Sequence, residues 1–171
     1  MKRFNYYKVA TASPEVWIGN PKKNVDSMLK IMEGLDKDTQ LVVFPELAVS
    51  GYTCQDLFYE DLLLEQVKKE LVRLCDQMPD NLACVAGAPL VIQDTLYNCA
   101  VFMYDHDILG IYVKSHIPGY NEYYEPRWFS PADDLKTNEV ILDHRIVPAG
   151  NHILFSDLST GARIGIEICE D

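Results

Sequence analysis

Three side chains that could do nucleophilic chemistry together stand at the ends of predicted strands: Glu46, Lys114 and Cys169. Glu46 follows Pro45, which stops the apolar run Gln40–Phe44. Lys114 closes the segment Ile108–Lys114, and Cys169 closes Ala162–Cys169. Strand ends are where α/β sheets carry their sites. A free thiol has a pKa of about 8.5, so only a small fraction is thiolate at neutral pH. A carboxylate within hydrogen-bond reach can take the thiol proton. A neighbouring ammonium then stabilises the thiolate and, later, the oxyanion of a tetrahedral intermediate. The backbone N–H of Glu170 offers a second oxyanion donor. This set needs no histidine, and the four histidines (106, 116, 144 and 152) fall in predicted turns or loops. A Cys–His pair using His116 or His152 is the competing catalytic arrangement. Each residue also has a structural reading: Glu46 as a carboxylate at a helix start, Lys114 as a solvated strand end, Cys169 as a packed thiol. On those readings the chain is a non-catalytic α/β interaction module. Dozens of residues separate the three positions, so only the fold can join them.

The composition bounds the class. The chain has 171 residues, 48% hydrophobic and 24% charged, with a net charge of −11. That is one domain with enough residues for a core. The acidic balance argues against nucleic-acid binding, which shows a basic stripe, and against a polybasic membrane-surface protein. No apolar stretch approaches the roughly 18 residues of a membrane span. The basic start, Met1 to Lys8, lacks the apolar segment of a signal peptide. Five cysteines without a CxxC pair fit neither a zinc ribbon nor a disulfide framework. Free thiols in a reducing cytoplasm follow, with Cys75, Cys84 and Cys99 read as small buried hydrophobes.

The elements that must position the three residues are read from periodicity. Lys8–Ser13 is a first strand. Asn20-Pro21 starts a helix with Val25, Met28, Leu29, Met32 and Leu35 at helical spacing. Gln40–Phe44 is a strand buried on both faces. A polar and aromatic loop runs from Glu46 to about Tyr59, and a second helix covers about Glu60–Met78. Leu82–Ile92 is a strand that Gly87 and Pro89 predict to be kinked or near an edge. Leu96–Tyr104 and Ile108–Lys114 complete an antiparallel meander. Ser115–Lys136 has no period, and its aromatics argue against disorder. Ile153–Leu158, a turn at Ser159-Thr160-Gly161, and Ala162–Cys169 follow. The order predicts a layered α/β fold with a mixed sheet.

Around the three positions the sequence resembles a known family. Leu41-Val42-Val43-Phe44-Pro45-Glu46-Leu47 with Ser50-Gly51-Tyr52, then Tyr97-Asn98 with Gly110–Pro118, then Arg163–Asp171, resemble the three signatures of the nitrilase, or carbon–nitrogen hydrolase, superfamily in their usual order. The resemblance implies a nitrilase-like αββα sandwich. In that family the Glu is general base, the Lys holds the oxyanion and the Cys forms a thioester. The runs Tyr52–Phe58 and Tyr120–Phe129, with Glu167–Asp171, are similar to the glutaminase domains of the glutamine-dependent NAD+ synthetases. Ala48-Val49 and Pro126 vary within these motifs without touching a candidate catalytic position.

That resemblance covers nearly the whole chain and carries several expectations. The substrate would be L-glutamine, with Tyr120 helping to hold it and Glu125 positioning lysine and substrate. Residues 1–171 would be the N-terminal part of the glutaminase domain, roughly the first half of the sandwich. No cofactor is expected in this segment. ATP and Mg²⁺ would belong to a following synthetase domain, which would receive the ammonia and amidate deamido-NAD+. The sheet face awaiting the second half would be exposed and apolar, favouring homo-oligomers, and the segment alone would be nearly inactive. The location would be cytoplasmic. A stand-alone nitrilase-type amidase or carbamoylase is the alternative within the superfamily.

Overall fold

The computed structural model describes residues 6–171, so the start of the basic tail lies outside the described residues. β1 (Val9–Thr11), β2 (Leu41–Val43) and β3 (Ala83–Ile92) are parallel neighbours. Two helices, α1 (Pro21–Glu33) and α2 (Asp61–Gln77), form the crossovers between them. β4 (Thr95–Tyr104) and β5 (Asp107–Val113) extend the sheet antiparallel. A hairpin of β6 (Glu139–Leu142) and β7 (Arg145–Gly150) completes it, in the order β1-β2-β3-β4-β5-β7-β6. β8 (Leu154–Ser156) and β9 (Arg163–Gly165) make a separate two-stranded sheet. This is the α/β architecture with a mixed sheet that the sequence predicts.

The helices form where the pattern places them. The Asn20 side chain caps α1 by accepting from the Lys23 N–H at 3.1 Å, and Pro21 occupies the first turn. Val25, Met28 and Met32 of α1 and Val67, Leu71 and Leu74 of α2 pack on one sheet face, over Val42, Cys84, Ala86, Cys99, Val101, Ile111 and Val113. Strand alternation sends Leu41, Ala83, Val85, Ala100, Phe102 and Tyr112 to the other face. That second face is not bare, contrary to expectation. Phe155 of β8 stacks on Phe102 with ring centroids 4.0 Å apart, and Ile168 packs beside them. The β8–β9 hairpin and the segment after it therefore seal residues that the sequence reading left open.

Three further features have physical causes. β3 is interior along Ala83–Val85, whereas at Pro89 its one strand neighbour among the described residues is β4, the edge-like position the sequence predicts. The carbonyls of Val85 and Gly87 face β2 and the loop after it, accepting from Phe44 and Val49 N–H. Pro89 points the same way, beyond the last β2 pairing at Val85, so its missing N–H breaks no ladder bond. The β6–β7 hairpin was left unassigned by periodicity. Its turn, Asp143-His144, repeats the Asp105-His106 turn of β4–β5, and both residues of each turn have positive φ. Finally, β9 stops at Gly165, so Cys169 sits in a turn beyond the strand, with φ 58°.

Gly87 sets the height of the loop that carries Glu46. A Cβ at this position would lie 2.5 Å from the Pro45 carbonyl oxygen and 2.4 Å from the Leu47 nitrogen. Only glycine lets the β2 exit lie directly on β3. Gly87→Ala is expected to lower unfolding free energy by about 1–3 kcal/mol, measured by urea denaturation, and to lift the Glu46 loop off the sheet.

Candidate active site

Lys114 is fully buried at the end of β5. An ammonium out of water must be paired. Its Nζ donates to Glu46 Oε1 at 2.6 Å and to both oxygens of Glu125, at 3.0 and 2.8 Å. Burial by itself would lower the Lys114 pKa, but the bonds to Glu125 and Glu46 outweigh it, and the net direction is upward. The side chain is therefore an ammonium at neutral pH. Glu125, also buried, takes a third bond from the Tyr52 hydroxyl at 2.6 Å. Glu46 takes a second bond from Asn98 Nδ2 at 2.6 Å.

Glu125 reaches Lys114 from a segment without regular strand or long helix. It opens a short 3₁₀ turn, Glu125–Arg127. The loop after β2 straps this turn down. Asp56 accepts from Arg127 Nε and Nη2 at 2.7 and 2.9 Å and from Trp128 Nε1 at 3.0 Å. The Tyr59 hydroxyl donates to the Arg127 carbonyl. Phe58 meets Trp128 and Phe129 edge-on, at 5.7 and 5.0 Å. The two runs that single out one branch of the superfamily in the sequence are thus the two halves of one contact.

The nucleophile candidate sits beside this cluster. Cys169 makes no hydrogen bond to Glu46, Lys114 or a histidine among the described residues, yet it lies within electrostatic range of the cluster. Its pKa is raised, by burial first. Lys114 pulls it down, and Glu46, Glu125 and Glu170 push it up. Desolvation is thus the main reason the sulfur stays a thiol at rest, with the lysine opposing it and the carboxylates adding to it. Asp171 fixes the turn by accepting from Ser115 N–H at 2.9 Å, His116 N–H at 2.8 Å and Ile168 N–H at 3.3 Å. Because Ser115 follows Lys114, this carboxylate ties the cysteine turn to the lysine.

Each predicted site residue has a definite place. Glu46, Lys114 and Glu125 touch, and Cys169 is beside them but not bonded. Tyr120 is half-exposed and donates to Glu170, next to the cysteine. His116 lies 3.5 Å from Asp171, and His152 lines a cleft of about 520 Å³ with Tyr112, Ile153, Ile166 and Glu167. A second cleft, about 700 Å³, lies by Phe155 and Leu158. Neither cleft is lined by Glu46, Lys114 or Cys169. Sequence reasoning gave no side-chain role to Tyr52, Asn98, Glu170 or Asp171. Asn98 carried a signal, being an amide inside the otherwise apolar run Leu96–Met103. The other three sat in quoted motifs with nothing to show their partners. Asp80, Asp105 and His106 form a surface group of metal-ligand type, remote from these residues in the fold, at the turn between β4 and β5.

A carbon–nitrogen hydrolase family model matches residues 8–171, and the chain belongs to that family. It is 36% identical over 169 residues to the glutamine-dependent NAD(+) synthetase of Mycobacterium leprae, covering 97% of this chain and 25% of that protein. The chain therefore spans about a quarter of the length of such relatives. The solved glutamine-dependent NAD(+) synthetase of Cytophaga hutchinsonii superposes with a TM-score of 0.86 at 26% identity, over 95% of this chain and 28% of that one. The NitN amidase of Neterenkonia sp. AN1 superposes with a TM-score of 0.70 at 16% identity, over 96% and 58%. The amidase shares the fold, whereas the synthetases share the sequence as well. The nitrilase-like α/β fold expected from the motifs is thus the fold of this chain.

Lys114→Met should remove about 3–5 kcal/mol of stability, since the buried carboxylate of Glu125 and the partly exposed one of Glu46 lose the cation between them. The parent should lose the Lys114 contribution only as pH rises above the ordinary lysine range of about 10.4 and through the raised value, because a raised pKa stabilises the charged form. Urea titrations at neutral and alkaline pH check both. Thiol labelling tests the cysteines. Cys54, Cys75, Cys84 and Cys99 are buried and Cys169 is exposed. Burial raises all four buried thiols, Cys75 to about 11. Iodoacetamide should modify Cys169 alone in the native chain and all five in denaturant, as read by peptide mass spectrometry.

Proposed function

We propose that this chain is part of the glutaminase domain of a glutamine-dependent NAD+ synthetase. The observation that carries the reading is the buried ammonium of Lys114 held between Glu46 and Glu125, with a thiol beside it and a strap made of the two synthetase-like runs. The thiol of Cys169 attacks the carboxamide carbon of L-glutamine while Glu46 takes its proton. Lys114 and the Glu170 N–H hold the oxyanion. Collapse of the intermediate breaks the C–N bond, and the proton on Glu46 passes to the departing ammonia. Water, deprotonated by Glu46, then cleaves the γ-glutamyl thioester to glutamate and the free thiol. Glu125 holds the lysine in place, and Tyr120, which donates to Glu170 beside the cysteine, helps to hold the glutamine.

In this reading residues 1–171 are the N-terminal part of the glutaminase domain. Further chain completes that domain and adds an ATP- and Mg²⁺-dependent synthetase domain, where the ammonia amidates deamido-NAD+. Ammonia must travel inside the protein, because in neutral water it is mostly protonated and no longer nucleophilic. Copies associate as homo-oligomers. Ile141, Ile146, Leu154 and Leu158 are among the exposed apolar side chains that can meet further chain or further copies. No described helix is long and apolar enough to cross a membrane, and the assembly works in the cytoplasm.

The test uses the chain extended through its complete hydrolase domain. Glutamine should be hydrolysed with far higher kcat/KM than acetamide or carbamoyl compounds. Cys169→Ala should abolish ammonia release, and Glu46→Gln should lower it by about 10²–10⁴-fold. A preference for simple amides would assign the chain to the stand-alone amidases instead.

A further inference from the structure

Asn98 is fully buried in the middle of β4, where an amide must find partners to offset its lost hydration. It finds only one for its side chain. Nδ2 donates to Glu46 Oε1, and Oδ1 has no hydrogen-bond partner among the described residues. Turning the amide over would set Oδ1 against a carboxylate oxygen, so this orientation is fixed by charge. The one side-chain hydrogen bond that Asn98 makes among the described residues is to Glu46.

The bond has a consequence for proton transfer. Glu46 Oε1 accepts from both Asn98 Nδ2 and Lys114 Nζ, each at 2.6 Å. A carboxylate oxygen has about two lone-pair sites, so Oε1 is filled. Oε2 has no donor among the described residues and remains the basic oxygen. Asn98 also bonds through its main chain, its carbonyl accepting from the Lys114 N–H at 3.0 Å. One residue thus registers the lysine and orients the carboxylate. Without the amide, Lys114 and the loop alone would hold Glu46, and rotation about its last side-chain torsion would exchange the two oxygens.

We propose that Asn98 is a positioning residue that selects Glu46 Oε2 as the oxygen exchanging protons with Cys169. The proposal rests on the reading of Glu46 as base. As the sulfur attacks, the S–H bond breaks and an Oε2–H bond forms. As the amine leaves, Oε2–H breaks and an N–H bond forms on the leaving group. Oε1 keeps both its donors throughout, so neither step requires the carboxylate to turn.

The test is the pH dependence of Cys169 alkylation by iodoacetamide in the 171-residue chain, followed by mass spectrometry for the parent, Asn98→Leu, Asn98→Ala and Glu46→Gln. Removing a donor to the charged carboxylate should move the acid limb of the profile up by about one pH unit, so that alkylation slows roughly tenfold at any pH on that limb. In Asn98→Leu the thermal midpoint should not fall, since an unpaired buried acceptor is removed. A residue that only held the fold would lower the midpoint and leave the limb in place. Asn98→Ala carries the same test if leucine does not fit. An unmoved limb in a folded Asn98 variant, with the limb lost in Glu46→Gln, overturns the role of Asn98 alone. A limb that persists in Glu46→Gln overturns Glu46 as base and the role of Asn98 with it.

Discussion

A lysine ammonium with no access to water has to be surrounded by acceptors, and much of this structure serves that need. Lys114 ends an interior strand, so its partners must come from elsewhere in the chain. Glu46 arrives on the loop after β2, which lies flat on the sheet because Gly87 offers no side chain to hold it off. Glu125 arrives from an irregular segment that would have little reason to sit there by itself. The Asp56–Arg127 pair and the Phe58–Trp128–Phe129 contacts hold it down. Exposed ion pairs of this kind contribute little stability. Their value here is positional, since they decide where a buried carboxylate stands.

The charge arrangement also sets the resting chemistry. Desolvation, with Glu46, Glu125 and Glu170 behind it, outweighs the pull of Lys114, and the Cys169 sulfur stays protonated. A pre-formed thiolate would need a net positive surround, as an imidazolium or helix N-terminus provides. The proposed chemistry is accordingly base-assisted attack, in which the proton would leave as the carbon–sulfur bond forms and the lysine would meet the developing oxyanion. Neither predicted histidine competes for that role by position: His116 is turned to Asp171 and His152 lines the cleft beside Tyr112.

Two kinds of feature escaped the sequence. The β6–β7 hairpin has short strands and polar interruptions, so periodicity does not mark it, although its Asp-His turn copies one recognised earlier in the chain. The covering of the second sheet face depends on where Phe155 and Ile168 come to rest, which is a tertiary matter. Pro89 is informative only locally. A proline in a strand suggests an edge, and β3 is interior at one end and without a β2 partner on one side at the other, where the proline stands.

Local pattern was enough to determine the α/β class, both helices, the strands of the meander and the identity of Glu46, Lys114 and Cys169 as candidates. Their residue types, each beside a chain reversal or strand end, carry that information within a few positions. Contact between groups dozens of residues apart is a different kind of fact. That Tyr52 meets Glu125, that Asn98 meets Glu46, and that Asp171 ties the cysteine turn to the lysine strand depend on sheet register and loop packing, which no local stretch of sequence encodes.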